Sequence, residues 1–152
     1  MTFDLNIINA ETRRRNPGLV ELEAEKPKPE IIERDGYLFS LNGRGKGCGS
    51  LSELKEWDSF LSVLWYTGKI EKPKHQTLIT LIEKPKVTYR IDWIYYNFEL
   101  NKRVWLDTKV KYKNGRWGYA RESINKLKEI KAMYPKDIVK YGNSWQGYKE
   151  VK

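Results

Sequence analysis

The sequence predicts an α+β domain, α/β/α-like in its layering, with a central mixed β-sheet that carries an antiparallel meander and is flanked by helices. Three observations predict it. Three β-rich runs follow one another at residues 75–83, 87–96 and 103–112, separated by short breaks only. Two stretches of helical periodicity, 51–67 and 119–133, bracket those runs. The chain has 152 residues, 39% hydrophobic and 13% aromatic, enough apolar mass for one packed core.

Residues 1–35 lack a clear period and read as a basic, loosely ordered arm, or as loosely attached strands, ahead of a globular domain at 36–152. Arg13-Arg14-Arg15 precedes Asn16-Pro17-Gly18 and Lys26-Pro27-Lys28-Pro29. Proline alternating with lysine favours extended backbone. The arginine triplet suits either phosphate contact or a solvated tail.

Gly36 to Leu41 is a short candidate strand. Asn42 to Gly49 then holds four glycines with Arg44 and Lys46. Such a loop can bring backbone amides near phosphate, but it lacks Walker spacing and suits a flexible connector equally. Ser50-Leu51-Ser52-Glu53 has capping-box spacing, and Leu54, Trp57, Leu61 and Leu64 recur at helical intervals until Gly68.

Lys84-Pro85-Lys86 separates the first two β runs, and Asn97 to Lys102 turns between the second and third. Lys113-Asn114-Gly115 is a turn. The second helix follows, with Ala120, Ile124 and Leu127 on its apolar side, and Pro135 stops it. Residues 137–141 form one more candidate strand, and Trp145 and Tyr148 can pack back on the domain.

Net charge is +9, from 29 Lys and Arg against 20 Asp and Glu. This balance favours a polyanionic partner, because each phosphate contact releases counterions. Cys48 is the lone cysteine, which excludes an internal disulfide and a cysteine-built zinc site. No apolar run approaches the ~20 residues of a membrane span. Together with the absence of a signal-peptide pattern at the N-terminus, this leads us to expect a cytoplasmic protein without a membrane partner.

The chemistry concentrates in the last two β runs. A hairpin turning between Glu99 and Leu100 pairs residues whose numbers sum to 199 (Trp93 with Leu106, Tyr95 with Val104), and apolar faces then meet. On strict alternation, Val87, Tyr89, Ile91, Trp93 and Tyr95 share one face and Asp92 the other. The same register sets Asp92 opposite Asp107, with Lys109 two residues on. Facing carboxylates repel. Either they lie exposed and repel mildly, or a divalent cation offsets the conflict; Mg²⁺ is commonly held by one or two carboxylates plus water.

An Asp on one strand followed by Asp107-Thr108-Lys109 on the next resembles the core of the PD-(D/E)XK nuclease superfamily. Ser50-Leu51-Ser52-Glu53 resembles the Ser-x-x-Glu that opens the preceding helix in many members. The order helix, strand, Asp strand, Asp-x-Lys strand, helix, strand is similar too. The resemblance spans about residues 50–141. It is greatest to small phage or archaeal-virus endonucleases of the resolvase-like type. Ile91 stands where the family name has Pro.

The resemblance implies a restriction-endonuclease-like fold and Mg²⁺- or Mn²⁺-dependent endonuclease activity on DNA, including branched DNA, inside a cell or an infected host. It implies Asp92 and Asp107 as metal ligands, aided by the Thr108 carbonyl and by Glu53, with Lys109 orienting the attacking water. Glu53 also fits a plain capping role, and Glu56 is the alternative helix carboxylate. Arg44, Lys46, Lys111, Arg116, Arg121 and Lys126 are the candidate DNA contacts, with Trp117 and Tyr119 available for stacking or core packing. A homodimer suits paired-strand cleavage. His75 is expected to take a surface or a packing role, and Cys48 to be no nucleophile. The rival readings are a non-catalytic nucleic-acid-binding module and a viral structural or host-interaction protein.

Overall fold

The computed structural model describes residues 28–118 and 120–152. The arginine triplet, the rest of the arm up to Pro27, and Tyr119 lie outside the described residues.

The end of the basic segment is structured. Strands β1 (Ile31–Arg34) and β2 (Tyr37–Ser40) pair antiparallel. Asp35 and Gly36, both at positive φ, make the two-residue turn between them; Asp-Gly is a favoured choice where both central residues need that conformation.

Helix α1 begins at Leu51. Ser50 caps it in a full capping box: its hydroxyl accepts from Glu53 N, and Glu53 accepts from Ser50 N. Such a cap stabilises a helix by about 1 kcal/mol. After Leu51–Glu56 the helix widens to a π-helical stretch, Trp57–Leu61, and resumes as Ser62–Tyr66.

Strands β3 (Lys74–Ile82), β4 (Val87–Asn97), β5 (Lys102–Thr108), β6 (Ile138–Asn143) and β7 (Gly147–Glu150) form one sheet in that spatial order. All neighbours are antiparallel except β5 and β6. That parallel pair needs a crossover, and helix α2 (Ala120–Met133) lies within it. The architecture is mixed α+β, with a five-stranded mixed sheet, a small antiparallel sheet and two helices.

The hairpin register is the expected one: Trp93 pairs with Leu106, Tyr95 with Val104 and Asn97 with Lys102. Two features of the expected hairpin need correction. First, β5 ends at Thr108 rather than Tyr112. Beyond it the chain bonds elsewhere: Lys109 N donates to Gly142 O, and Gly118 N and Tyr112 N close a separate loop on Val110 O and Arg116 O. Second, the odd-numbered residues of β4 do not share a face. Trp93 and Tyr95 pack with Leu54, Trp57 and Leu61 of α1, whereas Ile91 and Tyr89 pack with Leu127 and Ile130 of α2. Regular alternation breaks at Asp92, between these two sets.

In β5 alternation is kept. Val104 and Leu106 join the α1 side and Trp105 the α2 side. Each helix therefore covers one face of the sheet with a buried apolar stripe.

Candidate metal and phosphate site

The break in β4 has a counterpart in β3. Gln76 stands in the left-handed region at φ 54 in mid-strand. For a non-glycine residue this costs about 1–2 kcal/mol, so neighbouring contacts must hold it there. On either side the ladder is regular, with His75 opposite Trp93 and Thr77 opposite Ile91. Gln76 and Asp92 face each other across the irregular step. The Gln76 amide nitrogen donates to Asp92 Oδ1 at 3.3 Å and also to Glu53 Oε1.

Asp92 Oδ2 accepts from Thr108 N at 2.8 Å, a side-chain bond where a ladder bond would otherwise run. Asp107 is almost wholly buried; its Oδ2 accepts from the Tyr89 hydroxyl and lies 2.8 Å from Lys109 Nζ. Burial pushes the Asp92 carboxyl well above the usual carboxylate range; the neighbouring charges of Asp107 and then Glu53 add to this, as does a hydrogen bond with Asp107, while Lys109 opposes them. Burial and Asp107 also push the Tyr89 hydroxyl up, so it stays a donor. The like-charge conflict predicted from the register is therefore present, inside the protein rather than on an open face.

Glu53 belongs to this cluster as well as to its cap. Burial alone would push it up, but bonds from His75 and Ser50 outweigh that and leave its carboxyl below the ordinary value. His75 Nε2 sits 2.9 Å from Glu53 Oε1. Of the surface and packing roles, the imidazole takes the second, stacked on Trp93 at 4.2 Å between ring centroids and flanked by Tyr37 and Phe39. The bond to Glu53 was not visible in the sequence. Gly49 ends the glycine-rich loop against that ring; a Cβ there would lie 2.6 Å from His75 Cε1.

Glu56 is fully buried one turn further along α1, but it serves another place. Its oxygens accept from Ser144 N and the Tyr148 hydroxyl, which ties the β6–β7 hairpin to the helix. It is not part of the Asp92–Asp107 cluster. Lys109, just past β5, is held by its backbone: Asn143, fully buried, donates from Nδ2 to Lys109 O at 2.7 Å.

No protein family, curated protein or solved structure matches this chain. The donor chemistry at the site is all hard oxygen, the kind that suits Mg²⁺ or Mn²⁺. Among the described residues, no group of three or more His, Cys, Asp or Glu side chains stands converged as a ready-made metal cage. Two carboxylates do converge, and Mg²⁺ commonly takes no more than that from a protein, completing its shell with water and substrate phosphate. Thr108 Oγ1, between the Asp107 and Lys109 positions, is buried and has no hydrogen-bond partner among the described residues.

The candidate DNA contacts are dispersed around this cluster. Arg44 and Lys46 are exposed on the loop that ends at Gly49, and Arg116 and Arg121 are exposed beyond β5. Lys111 Nζ lies over the Trp117 ring at 4.9 Å, and Trp117 meets Tyr141 edge-on, so this indole is partly core. Lys126 Nζ is 5.5 Å from the centre of the Tyr89 ring, one side chain away from Asp107. Cys48 is a free, half-buried thiol. A depression of about 550 Å³ lined by Tyr96, Arg103, Pro135 and Asp137 lies at the opposite end of β5 from the carboxylates. No helix among the described residues is long and apolar enough to cross a membrane.

Proposed function

We propose that this chain is a metal-dependent endonuclease of the PD-(D/E)XK kind, with a restriction-endonuclease-like arrangement, hydrolysing DNA phosphodiester bonds. One observation carries the reading: Asp92, Asp107 and Lys109 converge at the end of β5, with a half-buried and a buried carboxylate in conflict and an ammonium 2.8 Å from the buried one.

Asp92 and Asp107 hold Mg²⁺ or Mn²⁺ through carboxylate oxygens. A bound cation at this place supplies charge neutralisation and a more acidic water. Lys109 is partly exposed, so its ammonium reaches both Asp107 and an incoming phosphate, where it offsets developing negative charge. Tyr89 and Thr108 N keep the two carboxylates oriented. The basic residues Arg44, Lys46, Lys111, Arg116, Arg121 and Lys126 carry the DNA backbone, in keeping with a net charge of +9. Branched or otherwise structured DNA is one substrate class this reading admits, and it rests on the family resemblance.

The test is cleavage of branched, duplex and single-stranded DNA with Mg²⁺, Mn²⁺ or chelator. Wild type cuts only with cation, and Asp107→Ala binds DNA without cutting. Salt-sensitive DNA binding with no cleavage under any cation would replace this reading with that of a non-catalytic binding module. No DNA binding at all would favour a structural or host-interaction role.

A further inference from the structure

Among the described residues, Gln76 is the one that touches both Glu53 of the helix and Asp92 of the strand, and nothing in the proposed chemistry uses it. We propose that Gln76 is a positioning residue for the cation site, whose amide joins Glu53 to Asp92 and so makes the helix carboxylate part of that site. This rests on the nuclease reading, because it assumes that Asp92 binds a cation.

Four observations carry the inference. The amide nitrogen donates to both Glu53 Oε1 and Asp92 Oδ1. The backbone at Gln76 is left-handed at φ 54, a conformation that side chains with a Cβ avoid unless their surroundings enforce it. That residue lies opposite Asp92, at the position left unpaired between the His75–Trp93 and Thr77–Ile91 pairs. Finally, Glu53 and Asp92 are close enough to share one donor, so the N–H between them relieves a like-charge repulsion that would otherwise drive them apart.

The consequence is geometric. Glu53 is fixed from behind by Ser50 N and by His75 Nε2. Asp92 is fixed by Thr108 N. Gln76 closes the gap between these two anchored groups. Without the amide, Glu53 reverts to a capping residue and Asp92 loses its tie to the helix.

Gln76→Gly separates the amide from the backbone, because glycine adopts the left-handed conformation freely. The experiment measures Mn²⁺ affinity by electron paramagnetic resonance for wild type, Asp107→Asn, Glu53→Gln, Gln76→Gly and the Glu53→Gln/Gln76→Gly double variant, with thermal unfolding of each. Expected are Mn²⁺ binding in wild type, its loss in Asp107→Asn, and a fall of about tenfold in Gln76→Gly at an unchanged or higher Tm. The double variant binds as weakly as Glu53→Gln alone, since Gln76 acts through Glu53. Wild-type affinity in Gln76→Gly, or additive losses in the double variant, would overturn the positioning role while leaving the nuclease reading in place. Wild type that binds no Mn²⁺ would overturn both.

Discussion

Gly49→Ala tests how tightly the glycine-rich loop is fitted to the site. The backbone at Gly49 is not left-handed, so the effect is steric alone. A Cβ would lie 2.6 Å from His75 Cε1, 2.8 Å from His75 Nε2 and 2.8 Å from Phe39 Cδ1. None of these atoms is the end of a flexible side chain. The imidazole is stacked on Trp93 and flanked by Tyr37, with ring centroids 4.2 and 5.5 Å away. Forcing one carbon into such a site costs about 2 kcal/mol. In a domain of this size that lowers Tm by about 4–8 °C. The displaced ring also draws Nε2 away from Glu53. Thermal unfolding followed by circular dichroism measures the loss, and the His75→Ala background identifies its source. With the imidazole gone, Phe39 has room to yield, and Gly49→Ala then costs under about 0.5 kcal/mol, a coupling of about 1.5 kcal/mol. An unchanged Tm in Gly49→Ala, or the same loss in both backgrounds, would refute the reasoning.

Three further outcomes follow from the site. The Asp92 carboxyl, raised by burial and by Asp107 and Glu53, keeps its proton above the ordinary value of 3.8, so the folded protein binds more protons than the unfolded chain over that window. Stability therefore declines as pH rises through it; Asp92→Asn lacks the decline and is more stable than wild type at neutral pH, and parallel urea-denaturation profiles across pH would contradict this. Lys109→Met lowers the cleavage rate constant by about 10²–10³-fold while Mn²⁺ binding is no weaker, because Asp107 loses its competing ammonium; weakened Mn²⁺ binding would mean that Lys109 serves mainly to build the site. Tyr148→Phe removes a hydroxyl that donates to fully buried Glu56 and costs about 1–3 kcal/mol in chemical denaturation, with an unchanged midpoint as the contrary result.

The β4–β5 register was legible because apolar residues on both strands match in only one alignment, and the turn at Asn97–Lys102 fits it. Both helices were legible from period and punctuation, as with Ser50 before α1 and Pro135 after α2. Strand β1 was not placed, only allowed for as a loosely attached strand, because Ile31–Arg34 follows a proline- and lysine-rich stretch, although Asp35-Gly36 is a recognisable hairpin signal. The site was only half legible. The β4–β5 register brings Asp92 and Asp107 together, and Lys109 reaches Asp107 from just beyond the end of β5. Gln76 and His75 reach Glu53 from a different strand, through a left-handed residue that no period predicts. A polar His-Gln pair leading into the apolar run of β3 was the available hint. Glu53 and Glu56 could not be ranked by helical spacing, because the hairpin that engages Glu56 lies 88 residues further along at Ser144.

The most direct measurement of the central claim is manganese anomalous scattering from crystals of the protein grown or soaked with Mn²⁺. The account predicts a peak between Asp92 and Asp107, with carboxylate oxygens from both at about 2.0–2.2 Å. A crystal in which Asp92 and Asp107 stay hydrogen-bonded to each other and manganese binds elsewhere, or nowhere, would contradict it.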